Sequence, residues 1–163
     1  MSGTPDTPDF ITITNLVPPS VVRAAREYIE DLPKDEFDEY RHKFEPKLMV
    51  KRRQYREPPL WPLWAAIRTF DVRSILADAF RFSRSCFSGP ESSYFTAFYV
   101  YRQGDYLQNH IDAAIHGDHR KVITINIYLS DCEGGDLIVG KNTIPVKENY
   151  LVAFANHDES FHA

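Results

Sequence analysis

Val122-Ile123-Thr124-Ile125-Asn126-Ile127-Tyr128-Leu129 alternates at every position: Ile123, Ile125, Ile127 and Leu129 are aliphatic, whereas Thr124, Asn126 and Tyr128 are polar or amphipathic. Successive strand side chains point to opposite faces, so this is a strand with one packing face and one face that lines something else. Taken alone, it also fits a strand whose polar face meets water. The surrounding sequence decides between the two. Upstream stands Tyr101-Arg102-Gln103-Gly104-Asp105-Tyr106-Leu107, running into His110-Ile111-Asp112. Downstream come the turn Glu133-Gly134-Gly135-Asp136, a strand pattern over Tyr150 to Phe154, and Ser160-Phe161-His162.

His-x-Asp on a strand places an imidazole nitrogen and a carboxylate oxygen on one face, two residues apart. A histidine from a later strand completes two nitrogens and one oxygen on one side of a metal. That set suits non-haem Fe(II), because it leaves positions open for a chelating co-substrate and O₂. His162 is the expected third ligand: it lies 50 residues after Asp112, room for several strands to run out and return. His157 competes from Asn156-His157-Asp158-Glu159, which reads as a turn. His116 and His119 can in principle close a local zinc site with His110, but Ala113 to His119 reads as a flexible loop.

In this order the segments over Tyr94 to Ala163 resemble the catalytic core of the 2-oxoglutarate/Fe(II)-dependent dioxygenases, in their prolyl-4-hydroxylase-like branch. The resemblance implies a mainly β fold with N-terminal helices around a double-stranded β-helix (jelly-roll, cupin-like) core. In that fold the aliphatic face of 122–129 lies against the helices and the polar face looks into the barrel. His110, Asp112 and His162 are then the catalytic and metal-ligating residues. Tyr101 and Tyr128 take positions where the family places tyrosines that hydrogen-bond 2-oxoglutarate, and Asn126 shares the inward face. Arg120 either caps the loop before it or touches substrate. The expected cofactors are Fe(II), 2-oxoglutarate as co-substrate, and O₂, giving succinate, CO₂ and hydroxylation of an unactivated C–H bond. Halogenating relatives lack the carboxylate, so Asp112 favours hydroxylation. The family also carries an Arg or Lys about ten positions after the distal histidine, on the way to a last barrel strand. This chain, ending at Ala163, is expected to lack both.

Composition bounds the rest. With 163 residues, 43% hydrophobic and 13% aromatic, the chain reads as a single domain with a real core. Residues 1–9 form a polar tail expected to be disordered. Residues 10–163 are one dioxygenase domain, with a strand and support helices over 10–93 and the jelly-roll core over 94–163. A strand is predicted at Phe10 to Thr14. Three helices follow: one capped by Ser20 and stopped before Pro33, one starting near Pro59, and one after Asp71 using Val72, Ile75, Leu76, Ala79 and Phe80. Asp31 to Arg56 is charged and unassigned. A net charge of −4, with Lys51-Arg52-Arg53 as the one basic run, offers no nucleic-acid face. Cys86 and Cys132 make neither a disulfide framework nor a zinc spacing, and no segment reaches the roughly 20 apolar residues of a membrane span. A cytoplasmic location is expected. The expected substrate is a small molecule such as an amino acid or natural-product intermediate. A prolyl-type protein hydroxylase, a non-catalytic jelly-roll module and a cupin-like zinc or manganese enzyme are the alternatives.

Overall fold

The computed structural model describes residues 7–33, 38–42, 45–51, 60–82, 98–101, 110, 115–116, 119–120, 122–156 and 162–163. Strand β1 (Phe10–Thr14) leads into α1 (Pro19–Glu30), followed by β2 (Asp38–His42), β3 (Glu45–Lys51), α2 (Trp61–Ile67) and α3 (Phe70–Phe80). Then come β4 (Phe98–Val100), β5 (Ile115–His116), β6 (His119–Arg120), β7 (Ile123–Tyr128), β8 (Leu137–Val139), β9 (Asn142–Ile144) and β10 (Tyr150–Ala155).

The central sheet has the order β1-β10-β7, antiparallel throughout. Its two faces differ as the sequence predicts. Ile11 and Ile13 of β1, Leu151 and Ala153 of β10, and Ile123, Ile125 and Ile127 of β7 pack with Val72, Leu76, Ala77 and Phe80 of α3. Ile127 and Leu129 extend this contact to Val22 and Ala25 of α1 and Leu63 of α2. On the opposite face, Val152 and Phe154 of β10 pack with Leu137, Val139 and Ile144 from the β8-β9 hairpin, and Phe10 and Tyr128 join them. Helices thus cover one side of the sheet and a second, smaller sheet covers the other. That hairpin closes through Gly140 and Lys141 between the paired Val139 and Asn142, and Gly140 takes φ +59°. A two-residue turn with glycine at its first position matches the right-handed twist of the strands it joins.

Several local expectations change. Helix α1 begins at Pro19 with no side-chain cap, so Ser20 is already helical. Proline fits there because its missing N–H is one the first turn cannot use. Helix α3 begins one residue before Asp71, capped by Thr69, whose hydroxyl accepts from Val72 N–H at 3.3 Å. Ile75, expected on its packing face, is exposed, and Ala77 is buried instead. The charged, unassigned region contains β2 and β3, and β3 pairs with β4 in a second antiparallel sheet, Met49 opposite Val100. Within the expected loop 113–119, β5 and β6 pair, His116 opposite His119. At the end of the polar tail, Asp9 accepts a hydrogen bond from Asn142 Nδ2 at 2.9 Å.

Asn149 fastens the sheet to the segment preceding α1. Its buried amide brackets Val17, Oδ1 accepting from Val17 N–H at 3.1 Å and Nδ2 donating to Val17 O at 2.7 Å. Its own N–H donates to Tyr128 O at 2.9 Å, and its φ of +64° lies in the left-handed region that asparagine tolerates. Asn149→Ala leaves two buried backbone groups unpartnered, at about 1–3 kcal/mol each, and adds a left-handed strain of about 1 kcal/mol. Urea unfolding should therefore show a loss of about 3–7 kcal/mol. Asn149→Gly removes the strain alone and should fall between the variant and the wild type.

Candidate metal centre

The two histidines singled out in the sequence meet. His110 and His162 form an antiparallel bridge in which each N–H donates to the other's carbonyl, at 2.8 and 2.9 Å. On its other side the same segment pairs with β8: His162 bridges Val139, and Ala163 and Ile138 exchange hydrogen bonds of 3.0 and 2.9 Å. Residues directly opposite across strands share a face. His110, His162 and Val139 therefore look the same way, and Val139 belongs to the cluster beneath the central sheet. Ile138, opposite Ala163, is exposed on the far side.

The ring centroids of His110 and His162 are 4.2 Å apart, with the planes inclined by 52°. Two imidazoles bound to one ion at about 2.1 Å and at right angles bring their ring centres to roughly 4.6 Å, so the observed spacing fits a shared metal. His162 is only 5% exposed, whereas His110 is half-buried. The ring of Phe154 lies 4.5 Å from that of His162, inclined by 53°. Asp112, and His157, the alternative to His162, lie outside the described residues, and among the described residues no group of three metal-ligating side chains occurs.

The inward face of β7 adds the polar groups. Asn126 and Tyr128 stand opposite Val152 and Tyr150 on this face, half-buried. Burial pushes the Tyr128 phenol above its ordinary value, and a hydrogen bond from the Asn126 side chain draws it part of the way back. With its oxygen accepting from Asn126, the hydroxyl proton remains to be donated elsewhere. Tyr101 follows β4 and is 47% exposed. Arg120 ends β6, within the short ladder before β7. Sequence reasoning missed a buried pair on the inward face: the Thr124 hydroxyl and the Asn156 amide lie 3.0–3.1 Å apart. Asn156 N–H also donates to Val122 O at 3.0 Å. Neither residue type at such spacing is distinctive; only the strand register joins them.

Residues 96–163 match the family model described as 2OG-Fe(II) oxygenase superfamily. The match spans 68 of the 163 residues. Fe(II), 2-oxoglutarate and O₂ are what that family requires. No curated protein matches the chain in sequence. In fold it is similar to a Pseudomonas putida prolyl-4-hydroxylase, with TM-score 0.68 and 15% identity over 94% of this chain and 83% of that one. It is also similar to a viral collagen prolyl hydroxylase from Paramecium Bursaria Chlorella virus-1 in a 2-oxoglutarate complex, with TM-score 0.64 and 13% identity over 98% and 89%. The likeness in fold therefore extends into the N-terminal half, beyond the matched family segment. Among the described residues no helix is long and apolar enough to cross a membrane.

The raised phenol has a measurable consequence. The native state holds the Tyr128 proton more tightly than the unfolded chain, so its contribution to stability is intact below the unfolded value of about 10. It is lost as pH rises through the higher native value. Unfolding free energies measured between pH 9 and 11 should fall more steeply for the wild type than for Tyr128→Phe; parallel curves would contradict the burial of this phenol.

Proposed function

We propose that this oxygenase hydroxylates an unactivated C–H bond, with iron held by His110, Asp112 and His162. The observation that carries the assignment is the paired backbone and 4.2 Å ring separation of His110 and His162. Asp112, two positions from His110, is the residue placed by strand alternation to supply the carboxylate. Iron with bound 2-oxoglutarate and O₂ supplies the oxidising chemistry, in which one oxygen atom enters succinate and the other the substrate while CO₂ leaves.

The chain's own residues bind, orient and exclude water. Tyr128, a neutral donor at physiological pH, directs its hydroxyl proton towards a carboxylate of 2-oxoglutarate, with Asn126 as its acceptor-side partner. Tyr101 lines the same co-substrate pocket from the end of β4. The apolar cluster of Val139, Val152 and Phe154 keeps solvent from the side of the site formed by His162.

The substrate we infer is a small molecule, such as an amino acid or a natural-product intermediate. A prolyl residue in a peptide is the second reading. It is favoured by the likeness to two prolyl hydroxylases across nearly the whole chain, the N-terminal elements included.

Anaerobic addition of Fe(II) and 2-oxoglutarate should produce a weak visible charge-transfer band, and admission of O₂ should release succinate. His110→Ala, Asp112→Ala and His162→Ala should each abolish the band and lower succinate formation at least about 100-fold. Undiminished turnover in any one of them removes that residue from the ligand set. Stimulation of 2-oxoglutarate consumption by free amino acids, with none by proline-containing peptides, supports the small-molecule reading; the reverse pattern establishes the peptide one.

A further inference from the structure

We propose that Phe154 is a positioning residue for His162, holding its imidazole where it can share an ion with His110. The inference rests on the ligand assignment above and adds a residue that touches neither metal nor co-substrate. Phe154 is wholly buried on the inward face of β10. It is flanked in register by Phe10 on β1 and Thr124 on β7, so neighbours on both sides hold its ring against lateral movement. The Phe154 and His162 ring centres are 4.5 Å apart with planes inclined by 53°, and those of His162 and His110 are 4.2 Å apart at 52°. The His162 imidazole is thus in contact with an aromatic ring as well as with its partner ligand, at nearly equal tilts.

The backbone bridge fixes where the two Cα atoms stand but leaves the torsions of the imidazole open. A side chain free to rotate must be ordered when the metal binds, which weakens binding. Contact with a ring that cannot itself move removes that freedom beforehand. Partners that orient ligating residues change metal affinity by about 10–100-fold when lost. Behind the ring, the Thr124–Asn156 bond ties the start of β7 to the residue after β10, and so holds the strand end from which Phe154 projects.

Cobalt(II), which tolerates air and reports its surroundings through visible absorption, is the probe. Titrations compare the wild type with Phe154→Leu, which keeps an apolar residue but loses the ring, and Phe154→Tyr, which restores it. Leu151→Ala is the control: Leu151 is equally buried three residues earlier on β10 but faces the helices. The expected result is about 10–100-fold weaker cobalt binding with an altered spectrum for Phe154→Leu, near wild-type affinity for Phe154→Tyr, and no change for Leu151→Ala despite its lower unfolding midpoint. Phe154→Met replaces Phe154→Leu should the latter not fold, since the thioether fills the same volume. Wild-type affinity in the ringless variant, or equal weakening in Leu151→Ala, overturns the proposal while leaving the ligand assignment standing. Unchanged binding in His162→Ala overturns the assignment itself, and the proposal with it.

Discussion

Two backbone hydrogen bonds between His110 and His162 join positions 52 residues apart, and the proposed metal centre depends on their being made. Closing a loop of that length costs roughly 3.5 kcal/mol from the logarithmic term alone. Two bonds return about 1–3 kcal/mol net. They cannot close it unaided. Most of the closure is done by the β7-β10 ladder, which pairs Ile123–Tyr128 with Tyr150–Ala155 and leaves only short stretches of chain between that ladder and the two histidines. The contacts of His162 with Phe154 and of Val139 with the inward cluster supply the rest. The meeting of the two histidines is therefore a consequence of sheet formation.

The central sheet separates two chemistries by strand alternation. One face is aliphatic and rests on α1, α2 and α3; the other carries Thr124, Asn126 and Tyr128 beside Phe154 and the histidines. A slip of one residue in β7 would exchange the faces, burying Asn126 and Tyr128 against α3 and turning isoleucines towards the site. The helices therefore do more than cover a hydrophobic surface: by requiring Ile123, Ile125 and Ile127 on their side, they fix which residues line the pocket. Asn149 reinforces that register, since its N–H binds Tyr128 O while its side chain holds Val17.

What could be read from the sequence was whatever periodicity or a rare residue pattern encodes. The 122–129 alternation encodes the sheet and its two faces, and His110 and His162 stand out because few residue types can bind iron; the fold brings these two together. The β2-β3 hairpin stayed hidden because its charged sequence carries no clean alternation, and its pairing with β4 is a long-range contact. Ile75 was misplaced because the packing face of α3 is set by the sheet it meets, which favours Val72, Leu76 and Phe80. The Thr124–Asn156 pair and the place of Phe154 over His162 follow from register, which no local pattern reveals. Tyr128 stood out through the family resemblance, whereas its hydrogen bond with Asn126 came only with the folded arrangement.

The most direct test of the iron centre is X-ray absorption at the iron edge of the anaerobic Fe(II) protein, in which imidazole ligands are counted by their outer-shell scattering. The account predicts two imidazoles in the wild type and one in His162→Ala. No imidazole signal in the wild type, or two remaining after His162 is removed, would contradict it.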